Sequence, residues 1–157
     1  MQKTKGVTLI ELLIVIAIIT ALSVLFINNS VINLKRARDA RRESDIKQYQ
    51  NSLEIYATKN SSLYPSRNTG SDNAATTLCG DLQLTGCPTD PQNGNDATFV
   101  YSYESDGTGG GATSATKYVL WAKLEVSTNY WVVCSNGLSG TKPQAGFSVV
   151  GGTCPLP

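Results

Sequence analysis

Gly6-Val7-Thr8-Leu9-Ile10-Glu11 opens the stretch on which the reading of this chain turns. An apolar run follows over residues 12–27, and Glu11 is the one charge set against it. From Val7 to Ile27 is about 21 residues, enough as a helix to cross a hydrocarbon core of about 30 Å. A carboxylate at that depth is costly to desolvate, so Glu11 requires a partner or a purpose. A secretory signal peptide accounts for the basic start at Lys3 and Lys5, with Ala21-Leu22-Ser23 as its cleavage site. Its apolar core would be about 7–15 residues, whereas this run is longer, passes Ser23 and contains an acid. A plain membrane anchor leaves Glu11 without a use.

Lys3, Lys5 and Gly6 followed by Val7-Thr8-Leu9-Ile10-Glu11-Leu12-Leu13-Ile14-Val15-Ile16-Ala17-Ile18 resemble the class III signal of type IV prepilins and pseudopilins. The resemblance implies a leader over 1–6, cleavage between Gly6 and Val7 by a prepilin peptidase, and N-methylation of Val7. It gives Glu11 the role of neutralising a neighbouring subunit's N-terminal amine during assembly. This chain departs from the family at Val7, where Phe is usual; an apolar residue is retained. The family's helix-loosening Gly and Pro correspond here to Thr20 and Asn28. The string Asp45-Ile46, Leu53-Glu54, Tyr56, Asn60, Tyr64-Pro65 is also similar to the stem end of short pilins and major pseudopilins.

The 157 residues suit one globular domain beyond the N-terminal segment. Net charge is +1, but residues 1–67 carry ten Lys/Arg against five Asp/Glu, and residues 68–157 carry three against seven. The mildly acidic distal part argues against nucleic-acid contact. Histidine is absent, which removes the commonest metal ligand and general base. The four cysteines lie beyond residue 78 without zinc-pair spacing, and read as two disulfides in an oxidising compartment. They allow three pairings. Cys79–Cys87, which closes a short loop, and Cys134–Cys154, which ties the tail to a strand, are expected, provided the tail turns back at Gly151-Gly152. One count opposes this orientation: Lys35, Arg36, Arg38, Arg41 and Arg42 follow the apolar run closely, and a strict positive-inside rule would turn the chain around. The cysteines and the resemblance outweigh it.

No proline occurs before Pro65, so the helix is expected to continue from the membrane through the charged stretch, with Asn28-Asn29-Ser30 at most loosening a turn. Over 35–59, Ile46, Tyr49, Leu53 and Tyr56 recur at spacings of three and four and mark a packing face. Arg38, Arg41 and Arg42 read either as a solvated face partnered by Asp39, Glu43 and Asp45 or as contacts with lipid head groups or neighbouring subunits. Subunit contact is favoured. Asn60-Ser61-Ser62 ends the helix. Residues 66–98 read mostly as loop, and strands are expected at 98–103, 117–126, 130–134 and 147–150, with 105–111 as a flexible turn. An antiparallel meander follows, with one face covered by the helix stripe.

The expected fold is therefore α+β, a pilin-like roll. A long N-terminal helix (7–60), transmembrane over 7–27 and amphipathic over 35–59, packs on a small antiparallel β-sheet in a disulfide-bonded head (61–157). No catalytic residue is recognisable. Asp81, Asp90, Asp96 and Asp106 lack any calcium-loop spacing and read as solvated loop acids, although some major pseudopilins hold calcium in such a loop. Trp121 and Trp131 read as sheet packing, and Gly109-Gly110-Gly111 lacks the Lys-Ser/Thr of a phosphate loop. Neither cofactor nor metal is expected. The function expected is a pilin polymerising into an extracellular filament with itself and other pilins. It would start in the lipid bilayer of the cell membrane with its head extracytoplasmic, and would meet a prepilin peptidase and an inner-membrane assembly platform. A major pseudopilin of type II secretion and a membrane-anchored binding module that never polymerises are the alternatives.

Overall fold

The computed structural model describes residues 6–68 and 72–157, with the side chains of 24–29 outside the description. The expected leader lies outside the described residues apart from Gly6, as do the side chains of 24–27 in the expected span and of Asn28 and Asn29 beyond it.

One helix, α1 (Leu9–Lys59), runs for 51 residues, about 76 Å at 1.5 Å per residue. Thr8 caps it in an extended conformation, and α1 continues unbroken through residues 28–30. At the other end Asn60 is the cap, and Ser61 and Ser62 take the left-handed conformation while the Ser62 N–H donates to the Ala57 carbonyl at 2.9 Å. Two consecutive left-handed residues cannot continue a right-handed helix, so the chain turns down the side of the rod.

The head follows as β1 (Tyr64–Pro65), β2 (Asp72–Asn73), α2 (Leu78–Asp81), β3 (Tyr101–Ser105), β4 (Thr113–Ala115), β5 (Tyr118–Lys123), β6 (Asn129–Cys134) and β7 (Ser139–Pro143). Five strands form an antiparallel sheet in the order β2-β3-β5-β6-β7, and β1 pairs with β4 separately. The sheet is thus larger than the small one expected. Its register sorts side chains by face: Tyr101 lies opposite Ala122 and that opposite Trp131, while Tyr103 lies opposite Leu120 and that opposite Val133. These residues meet Ile46, Tyr49, Leu53 and Ala57 of α1 in the main core. The alternate positions, Val119, Trp121, Val132 and Cys134, face the other way. There the tail covers them with Phe147, Val149, Cys154 and Leu156.

The main departures from the expected strands have physical causes. The stretch 147–150 is not a strand; Phe147 and Val149 pack on the outer sheet face without joining the ladder, and Val150 is exposed. The strand after β6 is β7, which re-enters the ladder directly after the turn at Asn136-Gly137 and pairs Ser139 with Val133. The first strand begins at Tyr101 rather than 98, because the Phe99 ring lies under the Arg42 guanidinium and the Lys123 ammonium. β5 stops at Lys123 rather than 126, because the Glu125 and Val126 N–H groups donate to the Asp39 carboxylate, both at 2.9 Å. Residues 66–98, expected mostly as loop, also supply β2 and α2.

Candidate functional site: the exposed rod and its charged collar

Gly6 and Val7 precede the helix and are exposed. Thr8 and Glu11 then close a reciprocal capping box, which fixes where the helix starts. The Thr8 hydroxyl accepts the Glu11 N–H at 3.3 Å, and the Glu11 carboxylate accepts both the Thr8 N–H and the Thr8 hydroxyl at 3.0 Å. Beyond the cap, Leu9, Ile10, Leu12, Leu13, Ile14, Val15, Ile16, Ile18, Ile19 and Leu22 are all at least half exposed, Leu9 reaching 80%. The other described hydroxyls on this stretch, Thr20 and Ser23, donate to carbonyls one turn back, Thr20 to Ile16 at 2.9 Å and Ser23 to Ile19 at 2.7 Å. Every described polar side chain from 8 to 23 is therefore satisfied within the helix, the condition an apolar surrounding imposes. Among the described residues, no helix is long and apolar enough to cross a membrane.

Where the rod enters the head it carries a collar of buried charge. Arg42 is fully buried. Its Nε and Nη2 donate to both Asp90 oxygens at 2.6 and 2.8 Å, and its Nη1 lies 2.7 Å from both Asp39 Oδ1 and Glu125 Oε1. Arg38 clamps Glu125 through Nε and Nη2 at 2.7 and 2.6 Å. Planar guanidinium forks suit such bidentate pairing. Hydrogen bonds from Arg38, working against partial burial and joined by those from Arg42, hold the Glu125 carboxyl down at about 2. Burial opposes the Arg42 charge, but the hydrogen bonds it donates to Asp90, Glu125 and Asp39 outweigh it and keep the guanidinium more firmly protonated than usual. No buried side-chain nitrogen or oxygen among the described residues lacks a partner.

The collar overturns the favoured reading of Arg42, which is enclosed by the head of its own chain and cannot reach a neighbouring subunit. Arg38 binds the same head through Glu125 while its side chain stays partly exposed. Arg41 stays exposed, 3.6 Å from Asp45. A signal for this was available: Asp39, Arg42, Ile46, Tyr49 and Leu53 form one progression of three- and four-residue steps, so the packing stripe extends back through two charges.

The remaining candidates fall as follows. Ile46, Tyr49 and Leu53 are wholly buried, whereas Tyr56 is half-buried with its hydroxyl on that of Thr113, and Ala57 takes the core position. Cys79 is bonded to Cys87 and Cys134 to Cys154, with Cα separations of 5.9 and 5.6 Å. Gly151 and Gly152 turn the tail, both at positive φ. A Cβ on Gly152 would stand 2.5 Å from the Lys117 carbonyl oxygen, so only glycine fits there. The four loop aspartates are not grouped. Asp81 pairs with Arg67 at 2.7 Å, Asp90 holds Arg42, Asp96 accepts the Thr98 N–H, and Asp106 accepts from Thr116 and Lys117. Trp121 packs under the tail against Phe147, and Trp131 sits at the edge of the main core. Gly109, Gly110 and Gly111 form a turn next to Asn68 and Asp81.

Residues 1–27 match a family model described as the prokaryotic N-terminal methylation motif. No curated protein matches the chain.

Proposed function

We propose, from the class III prepilin signal of type IV pilins and pseudopilins that residues 1–27 carry, that this chain is a structural subunit of a type IV pilus-like filament. In this reading a prepilin peptidase cuts between Gly6 and Val7, Val7 is N-methylated, and residues 7–27 hold the subunit in the cell membrane with its head outside. An assembly platform in the inner membrane then transfers the rod from lipid into the filament core. The observation that carries the reading is the described rod, apolar on every side with Glu11 as its one acid; in this reading a neighbour's amine pairs with that acid. A surface so apolar is covered in any stable state of the molecule, by lipid or by other copies of itself. The two disulfides of the head suit a domain that works in an oxidising exterior, and favour a pilus over a secretion pseudopilus.

The test is to produce the chain with a prepilin peptidase, determine the mature N-terminus by mass analysis, and image sheared surface filaments. A methylated Val7 start and filaments containing the chain are expected. A mature start at Val24 would instead mean a secretory signal peptide. Correct processing with no filament would leave a membrane-anchored binding module as the better account.

A further inference from the structure

The sequence contains two Asn-Gly pairs, Asn93-Gly94 and Asn136-Gly137, and the fold treats them in opposite ways. In such a pair the glycine amide nitrogen reaches the asparagine side-chain carbonyl with least hindrance, because no Cβ stands beside it. At Asn136-Gly137, between β6 and β7, both reacting groups are occupied. The Gly137 N–H donates to the Cys134 carbonyl at 3.1 Å, and Asn136 Oδ1 accepts the Leu138 N–H at 3.1 Å. At Asn93-Gly94 neither is. Both residues are exposed in the loop between α2 and β3. Among the described residues the Gly94 N–H and the Asn93 side chain make no hydrogen bond, and the space where a Gly94 Cβ would stand is open.

We propose that Asn93 is a self-modifying site, where the folded chain converts a side-chain amide to a carboxylate through a cyclic imide. The Gly94 nitrogen loses its proton and bonds to Cγ of Asn93; the Cγ–Nδ2 bond breaks, and ammonia leaves with that proton. Water then opens the ring. Opening at Cγ–N gives aspartate on the ordinary backbone. Opening at the main-chain carbonyl gives isoaspartate, whose backbone runs through Cγ and is longer by one methylene. Water is the sole co-reactant, and nothing is oxidised or reduced.

The position gives the conversion a consequence. The Asn95 and Asp96 N–H groups both donate to the Gln92 carbonyl, at 2.8 and 2.9 Å, so Asn93 lies inside those closed turns. Asp90, which holds Arg42, lies at the start of the same loop and accepts the Gln92 N–H at 2.8 Å. Aspartate adds a negative charge and leaves these turns intact. Isoaspartate adds the charge and a methylene that the turns cannot absorb, so it loosens the support of the collar. Each head thus acquires negative charge with age.

The experiment incubates the folded, full-length chain in detergent at mildly alkaline pH, follows both peptides by mass, and counts isoaspartate with an isoaspartyl methyltransferase. Asn93 is expected to convert about thirty-fold faster than Asn136, the scale of the two hydrogen bonds that guard the latter. In denaturant the two rates should converge. Gly94→Ala should slow Asn93 severalfold while leaving the melting temperature unchanged, and the isoaspartate fraction should melt below Asn93→Asp. Equal rates in the folded chain, or the same difference in denaturant, would overturn the assignment. Equal melting of the isoaspartate fraction and Asn93→Asp would overturn its consequence for the collar.

Discussion

Glu11 and Arg42 are charged residues on one helix with opposite economies. Among the described residues Glu11 is held only by its neighbour Thr8, and it keeps its carboxylate at the surface of the rod, free to exchange partners. Glu11→Ala should still insert, and more readily, since a membrane charge is removed. It should also fold, because the collar and core lie far along the helix, yet yield little or no sheared filament. Glu11→Asp should be intermediate. Normal filament yield from Glu11→Ala would remove the main physical support for the pilin reading. Arg42 cannot exchange anything. Arg42→Ala leaves Asp90 and Asp39 buried without their cation and should cost about 3–5 kcal/mol in denaturant unfolding. Glu125 adds a pH dependence. Its folded pKa lies below the unfolded value, so its contribution is fully present above about pH 4.5 and is lost as pH falls through about 2. Acid titration of wild type should therefore lose about 1–2 kcal/mol in that window that Glu125→Gln does not lose, the scale of its pKa depression reduced by solvent screening.

At the scale of elements, the sheet is closed on both faces by different means. The helix covers one face through tyrosines whose hydroxyls reach acids on the stem: Tyr101 donates to Asp45 at 2.7 Å and Tyr118 to Glu54 at 2.9 Å. The tail covers the other, with the Cys134–Cys154 bond closing a separation of 20 residues. Replacing both of those cysteines with alanine should cost about 3 kcal/mol by loop closure, and replacing Cys79 and Cys87 somewhat less. Trp121 emission should shift red only in the first pair of variants, because only there is its cover released. What could be read beforehand follows from the same contrast. The stem stripe was legible because Ile46, Tyr49 and Leu53 recur at helical spacing, and β5 because its apolar residues are sustained. β7 was not legible: Ser-Gly-Thr-Lys-Pro has no apolar alternation, and it is an edge strand held by backbone pairing. The segment 147–150 misled for the opposite reason, since burial without a ladder gives the same apolar signature as a strand. The collar was present in the spacing and hidden by residue type, because charge on a helix ordinarily means solvent.

For the whole molecule, the proposed function places α1 in two environments, and the capping box and collar would mark their limits. Gly6→Glu, which puts a bulky acid where the resemblance requires a small residue, should block processing and leave the chain in the membrane fraction. Removing residues 1–27 should give a monomeric head that melts like wild type in detergent, since neither core cluster uses those residues. A lower melting temperature would mean that the rod contributes to the head's fold. The collar has a mechanical consequence as well. In the proposed filament, tension would reach each head through α1, along the helix axis and across the seam between stem and sheet. Arg38 and Arg42 cross that seam at its lower end, and Glu54 with Tyr64 and Tyr118 at its upper end. Anchored at both ends, the seam is loaded in shear, with its contacts resisting together, rather than peeled open one contact at a time.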